Sequence, residues 1–154
     1  MCYRRPAAGG PRVSPSVDDR LEILDLAARY NHAVDSGDHE GVAALFTEDG
    51  AIEATATGTI AGRAAIADYI GSRPDGWQRR RHLNSNAIIE GVPGDEDAAR
   101  LVLSLLVVSR RDHVEPRLHG RYEDELRRED GEWRFARRRI IVDADGASGR
   151  RAEG

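Results

Sequence analysis

Ile23, Leu26, Ala27, Tyr30, Ala33 and Val34 recur at three- and four-residue spacing. That period marks one apolar face of a helix over about residues 19 to 35. Asp18 and Asp19 stand where a helix N-terminus favours negative charge. Ser36-Gly37-Asp38 ends the pattern, with Gly37 in the left-handed position after the last turn. Asp38 is placed to cap a second, short helix carrying Val42, Ala43, Leu45 and Phe46. Thr47 to Gly50 reads as a turn and Ala51 to Ala56 as a short strand. Gly58 and Gly62 bracket a further turn, Arg63 to Ile70 reads as a third short helix, and Pro74-Asp75-Gly76 as a loop.

Four strands are then predicted in succession. The first, about 82 to 90, is closed by Gly91-Val92-Pro93-Gly94-Asp95. The second, 98 to 109, is nearly continuously apolar from Leu101 to Val108, which predicts cover on both faces. The third, about 117 to 128, alternates from Leu118 to Leu126. It meets the fourth, 133 to 143, through the hairpin composition Glu129-Asp130-Gly131-Glu132. Helices first and a long antiparallel meander afterwards predict an α+β domain, with helices against one face of a curved sheet.

The 154 residues suit one domain with a single core, expected over 18–144 between a loose tail at 1–17 and a frayed end at 145–154. Charged residues make up 32% but are mixed in sign, and a net charge of -4 gives no pull toward nucleic acid or an anionic membrane. No apolar run approaches the roughly 18 residues of a membrane span. Lysine is absent, which removes Schiff-base chemistry. Cys2 is the one cysteine, so no disulfide forms within the chain and a reducing, cytoplasmic setting is expected. No signal peptide is expected, because no apolar core follows the charged start.

The chemistry that remains lies in Asp35, His82 and Tyr30. A carboxylate that orients an imidazole makes a general base without a metal. Tyr30 lies five residues before Asp35, about 140° away around a helix axis. Asn84 and Asn86 share strand parity with His82 and face the same way. Leu118, Gly120, Tyr122 and Asp124 share a face of the third strand, where Gly120 would leave room for a ligand. Among Arg137, Arg138 and Arg139, alternation does not settle which faces inward.

Several stretches carry a family resemblance: Tyr30-x4-Asp35-x-Gly37-Asp38, Leu45-Phe46-x2-Asp49, Gly58-x3-Gly62-Arg63-x2-Ile66, Arg81-His82-x3-Asn86-x2-Ile89-Glu90, and Gly120-x-Tyr122-x-Asp124-x2-Arg127-x2-Asp130-Gly131-x-Trp133-x-Phe135. In this order they resemble the SnoaL-like branch of the nuclear transport factor 2-like superfamily over about residues 18 to 144. The resemblance implies a cone-shaped, curved antiparallel sheet whose N-terminal helices close a deep pocket. It implies an Asp35–His82 dyad and a pocket tyrosine at Tyr30, as in the dehydratases of the superfamily. Arg138 stands near a pocket arginine of its dehydrochlorinase.

The second pocket histidine of scytalone dehydratase has no convincing match in His113 or His119. The sets expected of a ketosteroid isomerase or an epoxide hydrolase are not evident. The expectation is therefore a cofactor-independent, metal-free enzyme that abstracts a proton with His82 oriented by Asp35. Tyr30 donates to a carbonyl or departing hydroxyl, and Arg138 or Asn86 holds developing charge. The reaction would be a dehydration or other elimination, or an isomerisation or cyclisation. The substrate would be a largely apolar ring compound, polyketide- or steroid-like, seated on Leu103, Leu105, Leu118, Gly120 and Tyr122. A homodimer or homotrimer is expected. The alternatives are a non-catalytic small-ligand binder and a structural partner like the β subunit of ring-hydroxylating dioxygenases.

Overall fold

A computed structural model describes residues 14–54, 57–74, 79–110 and 113–145. The elements in order are α1 (Val17–Ser36), α2 (His39–Ala44), β1 (Phe46–Ala54), β2 (Gly58–Ala61), α3 (Arg63–Gly71), β3 (Arg80–Val92), β4 (Asp95–Arg110), β5 (Val114–Glu129) and β6 (Glu132–Asp145). The expected tails lie almost wholly outside the described residues, as do residues 55–56 of the expected first strand and 75–76 of the expected loop.

Local chemistry sets the helix ends. Ser16 caps α1 in a reciprocal box with Asp19, and Gly37 closes the helix with φ 79°. Asp38 caps α2, accepting from the Gly41 amide at 2.9 Å. Ile23, Leu26, Ala27, Tyr30 and Val34 turn α1's apolar face into the core. They meet Leu101, Leu103, Leu105 and Val107, the odd positions of β4. Val102, Ser104 and Val108 are only half-buried and Leu106 is 36% exposed, so the two-sided cover expected from Leu101 to Val108 is not seen.

The strands form one curved sheet in the order β2-β1-β6-β5-β4-β3. The meander β3 to β6 is antiparallel, but β1 pairs with β6 in parallel. This differs from a purely antiparallel sheet, and connectivity is the reason. After β2 and α3 the chain crosses to the far edge, so the returning meander brings β6 alongside β1. Gly58 and Gly62 likewise do more than bracket a turn, since Gly58 opens β2 and Gly62, at φ 89°, precedes α3.

Curvature comes from irregular pairing. The register shifts between Ser85 and Ile88, between Val107 and Val108, between His119 and Gly120, and between Glu125 and Leu126. Each such bulge bends its strand and increases the local twist. The β5–β6 hairpin turns through Asp130 at φ 54° and Gly131 at φ 82°, the left-handed pair that a tight hairpin favours.

Arg63 and Arg128 are among the arginines that join the layers. Arg63 donates to the Phe46 carbonyl at 2.9 Å and to Glu129 at 2.8 Å, tying α3 to β1 and β5. Arg128 lies 4.6 Å over the Trp133 ring and pairs with Asp19, which also accepts from Trp133 Nε1 at 3.1 Å. The Ser16 hydroxyl, opposed by partial burial and helped by Trp133 and Arg128, holds the Asp19 carboxyl at about 2 instead of 3.8. A carboxyl whose folded pKa is depressed stabilises the fold only while ionised. Asp19→Ala should therefore cost about 1 kcal/mol near neutrality, the usual size of a lost cap. In urea unfolding, the gap to wild type should close as pH falls from 3.8 toward about 2. A gap independent of pH would contradict this role.

Candidate active site

Asp35 and His82 meet between the last turn of α1 and the start of β3. His82 Nδ1 lies 2.6 Å from Asp35 Oδ1, and the His82 backbone N–H donates to Asp35 Oδ2 at 3.1 Å. The two side chains are only 7% and 11% exposed. A carboxylate accepts and does not donate, so the contact calls for a proton on Nδ1.

A second polar rung lies beside the first. Asn31, one turn before Asp35, donates from Nδ2 to Asn84 Oδ1, two residues beyond His82. Four residues along a helix advance about 6 Å and two along a strand about 6.7 Å, so the repeats are nearly commensurate. Asn84 Nδ2 donates onward to the Ser104 carbonyl at 3.3 Å, and Asn86 Nδ2 to the Ser104 hydroxyl at 3.3 Å. Asn86 has left-handed backbone, φ 54°, at the β3 bulge. Asparagine tolerates this conformation better than most residues.

These rungs flank a cleft of about 700 Å³ between α1 and the edge strand β3. Leu24, Ala27 and Ala28 form the helix wall, residues 81–87 the strand wall, and Leu103 contributes from β4. Of the residues singled out from sequence, Asp35, His82, Asn84, Asn86 and Leu103 line this cleft. Among the described residues no three His, Cys, Asp or Glu side chains gather to hold a metal ion. No helix there is long and apolar enough to cross a membrane.

The remaining expected pocket residues do not line the cleft. Tyr30 is carried around α1 away from Asp35 and packs edge-on against Phe46, Tyr122 and Phe135, with centroids 6.2, 6.0 and 5.7 Å away. Burial raises the pKa of both the Tyr30 and Tyr122 hydroxyls. Leu105 is buried and Leu118 half-buried, both in contact with the core. Gly120 does not make room for a ligand, because a Cβ there would stand 2.1 Å from the Ile141 carbonyl oxygen. It is the approach of β6 that requires glycine at this point.

Arg138 is fully buried and pairs with Asp124 through two hydrogen bonds, 2.9 and 2.7 Å. Its guanidinium carbon lies 4.0, 4.1 and 4.0 Å from the ring centroids of Tyr30, Tyr122 and Phe135. Burial alone would lower the Arg138 pKa, but the adjoining Asp124 carboxylate more than offsets this and keeps the guanidinium charged.

Sequence reasoning passed over Asn31 and Ser104 as site residues. The available signal was spacing, since Asn31 precedes Asp35 by one helical turn and so shares its face. Ser104 is the polar break in an otherwise apolar strand.

A curved six-stranded sheet, N-terminal helices across it and an acid–histidine pair at their junction define an α+β protein of the nuclear transport factor 2-like, cystatin-like class. The chain belongs to the SnoaL-like domain family, whose model matches residues 15–139. Among solved structures it is similar to a Nostoc punctiforme protein of unknown function with a cystatin-like fold. Identity is 31%, the match covers 85% of this chain and 96% of that one, and the TM-score is 0.75. A Mycobacterium tuberculosis protein of unknown function is 32% identical over 92% of this chain and 81% of its own, with TM-score 0.72. A scytalone dehydratase candidate from Novosphingobium aromaticivorans is 25% identical over 84% of this chain and 89% of its own, with TM-score 0.66. None of the curated proteins matches the chain.

The Arg138–Asp124 pair is expected to act on stability. Removing one partner strands a buried charge, so Arg138→Leu or Asp124→Leu alone should cost about 3 to 5 kcal/mol in urea unfolding. The double replacement should recover much of that loss. Single variants as stable as wild type would contradict a buried, mutually dependent pair.

Proposed function

We propose that the protein is a small-molecule enzyme in which His82 takes a proton from carbon and Asp35 orients it. The Asp35–His82 contact at the wall of a ligand-sized cleft is the observation that carries this reading. Asp35 fixes the proton on Nδ1 and stabilises the imidazolium that forms, while Nε2 abstracts the proton. In an elimination, the carbon–hydrogen electrons form the new double bond, the hydroxyl leaves, and the imidazolium returns the proton to it as water. Without a leaving group, the same proton is returned to another carbon, which gives isomerisation, or the carbanion attacks a carbonyl carbon of the same molecule, whose π electrons move to oxygen and take the proton back from the imidazolium, which gives cyclisation. Asn86, on the cleft wall, replaces Tyr30 and Arg138 as the side chain near developing negative charge.

Leu24, Ala27, Ala28, Ala87 and Leu103 favour a largely apolar ring compound, of polyketide or steroid type. Membership of the SnoaL-like family, and a relative whose name is that of a dehydratase, support elimination as the first reaction to test. Leu83 and Leu106, paired across β3 and β4, are 52% and 36% exposed, which supports self-association through the outer sheet face.

A panel of hydroxy-ketones and cyclic alcohols, followed by absorbance of a new conjugated double bond, tests the assignment. His82→Ala should abolish turnover, and Asp35→Asn should lower it by roughly two to four orders of magnitude. Tyr30→Phe should stay within about threefold, because a hydroxyl outside the cleft makes no transition-state contact. Chelators should leave turnover unchanged. Full turnover in folded His82→Ala would sink the mechanism and leave a ligand-binding protein. Metal-dependent turnover would sink the cofactor-free reading.

A further inference from the structure

We infer that Asn31 determines ligand specificity in this cleft, accepting a hydrogen bond from a hydroxyl on the bound ring compound. The inference rests on the cleft being the ligand site. Its basis is a chain of polarity that begins at a backbone carbonyl. The Ser104 carbonyl can only accept, so the Asn84 atom 3.3 Å from it is the amide nitrogen. Asn84 then turns its Oδ1 toward α1, and Asn31 must meet that oxygen with Nδ2. Asn31 Oδ1 is the atom left over. Flipping the Asn31 amide would set two oxygens against each other, and flipping Asn84 would set its oxygen against the Ser104 carbonyl.

Asn31 is 9% exposed and lines the cleft, yet its Oδ1 has no hydrogen-bond partner among the described residues. The Ser104 hydroxyl is held by Asn86, so both polar groups of Ser104 are engaged in orienting amides. The wall between helix and strand thus holds an acceptor, Asn31 Oδ1, that no donor among the described residues meets. It complements a ligand with a hydroxyl directed at α1 and disfavours a ketone or ether oxygen in that place. A merely structural Asn31–Asn84 tie would affect stability alone and would not distinguish a hydroxyl from its methyl ether.

Equilibrium fluorescence titration of the full chain with 2-naphthol and with 2-methoxynaphthalene separates these cases, since the two differ only in the donor. Wild type should bind 2-naphthol at least about tenfold more tightly. Asn31→Leu should bring the two ligands within about twofold of each other while keeping its affinity for the ether. The double variant Asn31→Leu/Asn84→Leu, which strands no amide, should do the same if the single variant folds poorly. A tenfold preference that survives in a folded variant overturns the inference, as does a wild type that binds both probes alike or neither. His82→Ala keeps the comparison separate from the proposed chemistry. It should lose turnover yet retain the part of the preference that Asn31→Leu removes. Loss of turnover in His82→Ala with no Asn31 effect would defeat this inference alone. An Asn31 effect with turnover intact in His82→Ala would defeat the catalytic reading alone.

Discussion

Asp35 takes two donors from one residue, the backbone N–H and the ring Nδ1–H of His82, and this fixes the start of β3 against the end of α1. Much of the candidate site depends on that clamp. It sits at the C-terminal end of a helix, where a negative charge is unfavourable with the helix dipole by a few tenths of a kcal/mol, and no basic side chain occupies the last turn. Two charge-assisted hydrogen bonds, each worth about 1.5 to 3 kcal/mol, outweigh that cost. Once the clamp sets the register of helix against strand, the Asn31–Asn84 rung follows from the near match of helical and strand repeats. Toward the N-terminus, Arg20 continues the contact by donating to the Ile89 carbonyl at 3.2 Å.

The cleft lies on the far side of α1 from the aromatic cluster. Tyr30, Phe46, Tyr122 and Phe135 surround a buried ion pair, and Arg138 presents its flat guanidinium to three of those rings. A charge there is tolerable because Asp124 meets it with paired geometry and the rings offer their negative faces. Its Nη1 has no partner among the described residues, so the arrangement favours definite geometry over maximal stability. A well-defined core gives the inner side of α1 a fixed seat, and the polar rungs on its other side inherit that position.

How much of this was legible in the sequence depended on whether local periodicity survived folding. Helix boundaries followed capping residues and glycines, which act locally. The approach of Asp35 to His82 was implied by the family resemblance, and strand parity put Asn84 and Asn86 on the face of His82. Parity failed where strands bulge. Alternation from Trp133 left open which of Arg137, Arg138 and Arg139 faces inward, and the register step between Glu125 and Leu126 turns Arg138 inward, opposite Asp124. Arg137 and Arg139 then both reach Glu53 on β1, at 2.8 and 3.1 Å. Gly120 was misread for a related reason, since its missing side chain serves the neighbouring backbone at another register shift. Such shifts depend on several strands at once and leave no signature in the order of a single one.

The parallel pairing of β1 with β6 shows the same limit on a larger scale, because it is a property of the whole path of the chain. It also bears on where a ligand site can lie. With β6 flanked on both sides and the short β2 at the opposite edge, β3 is one of the two edge strands of the sheet among the described residues. Its side chains can reach outward between helix and sheet without breaking a ladder on that side. A bulge with a left-handed asparagine is easier to accommodate on such a strand than in the middle of a sheet. The polar rungs therefore gather where the sheet is least constrained by its neighbours, and α1, anchored on the aromatic core, supplies the rigidity that the edge lacks.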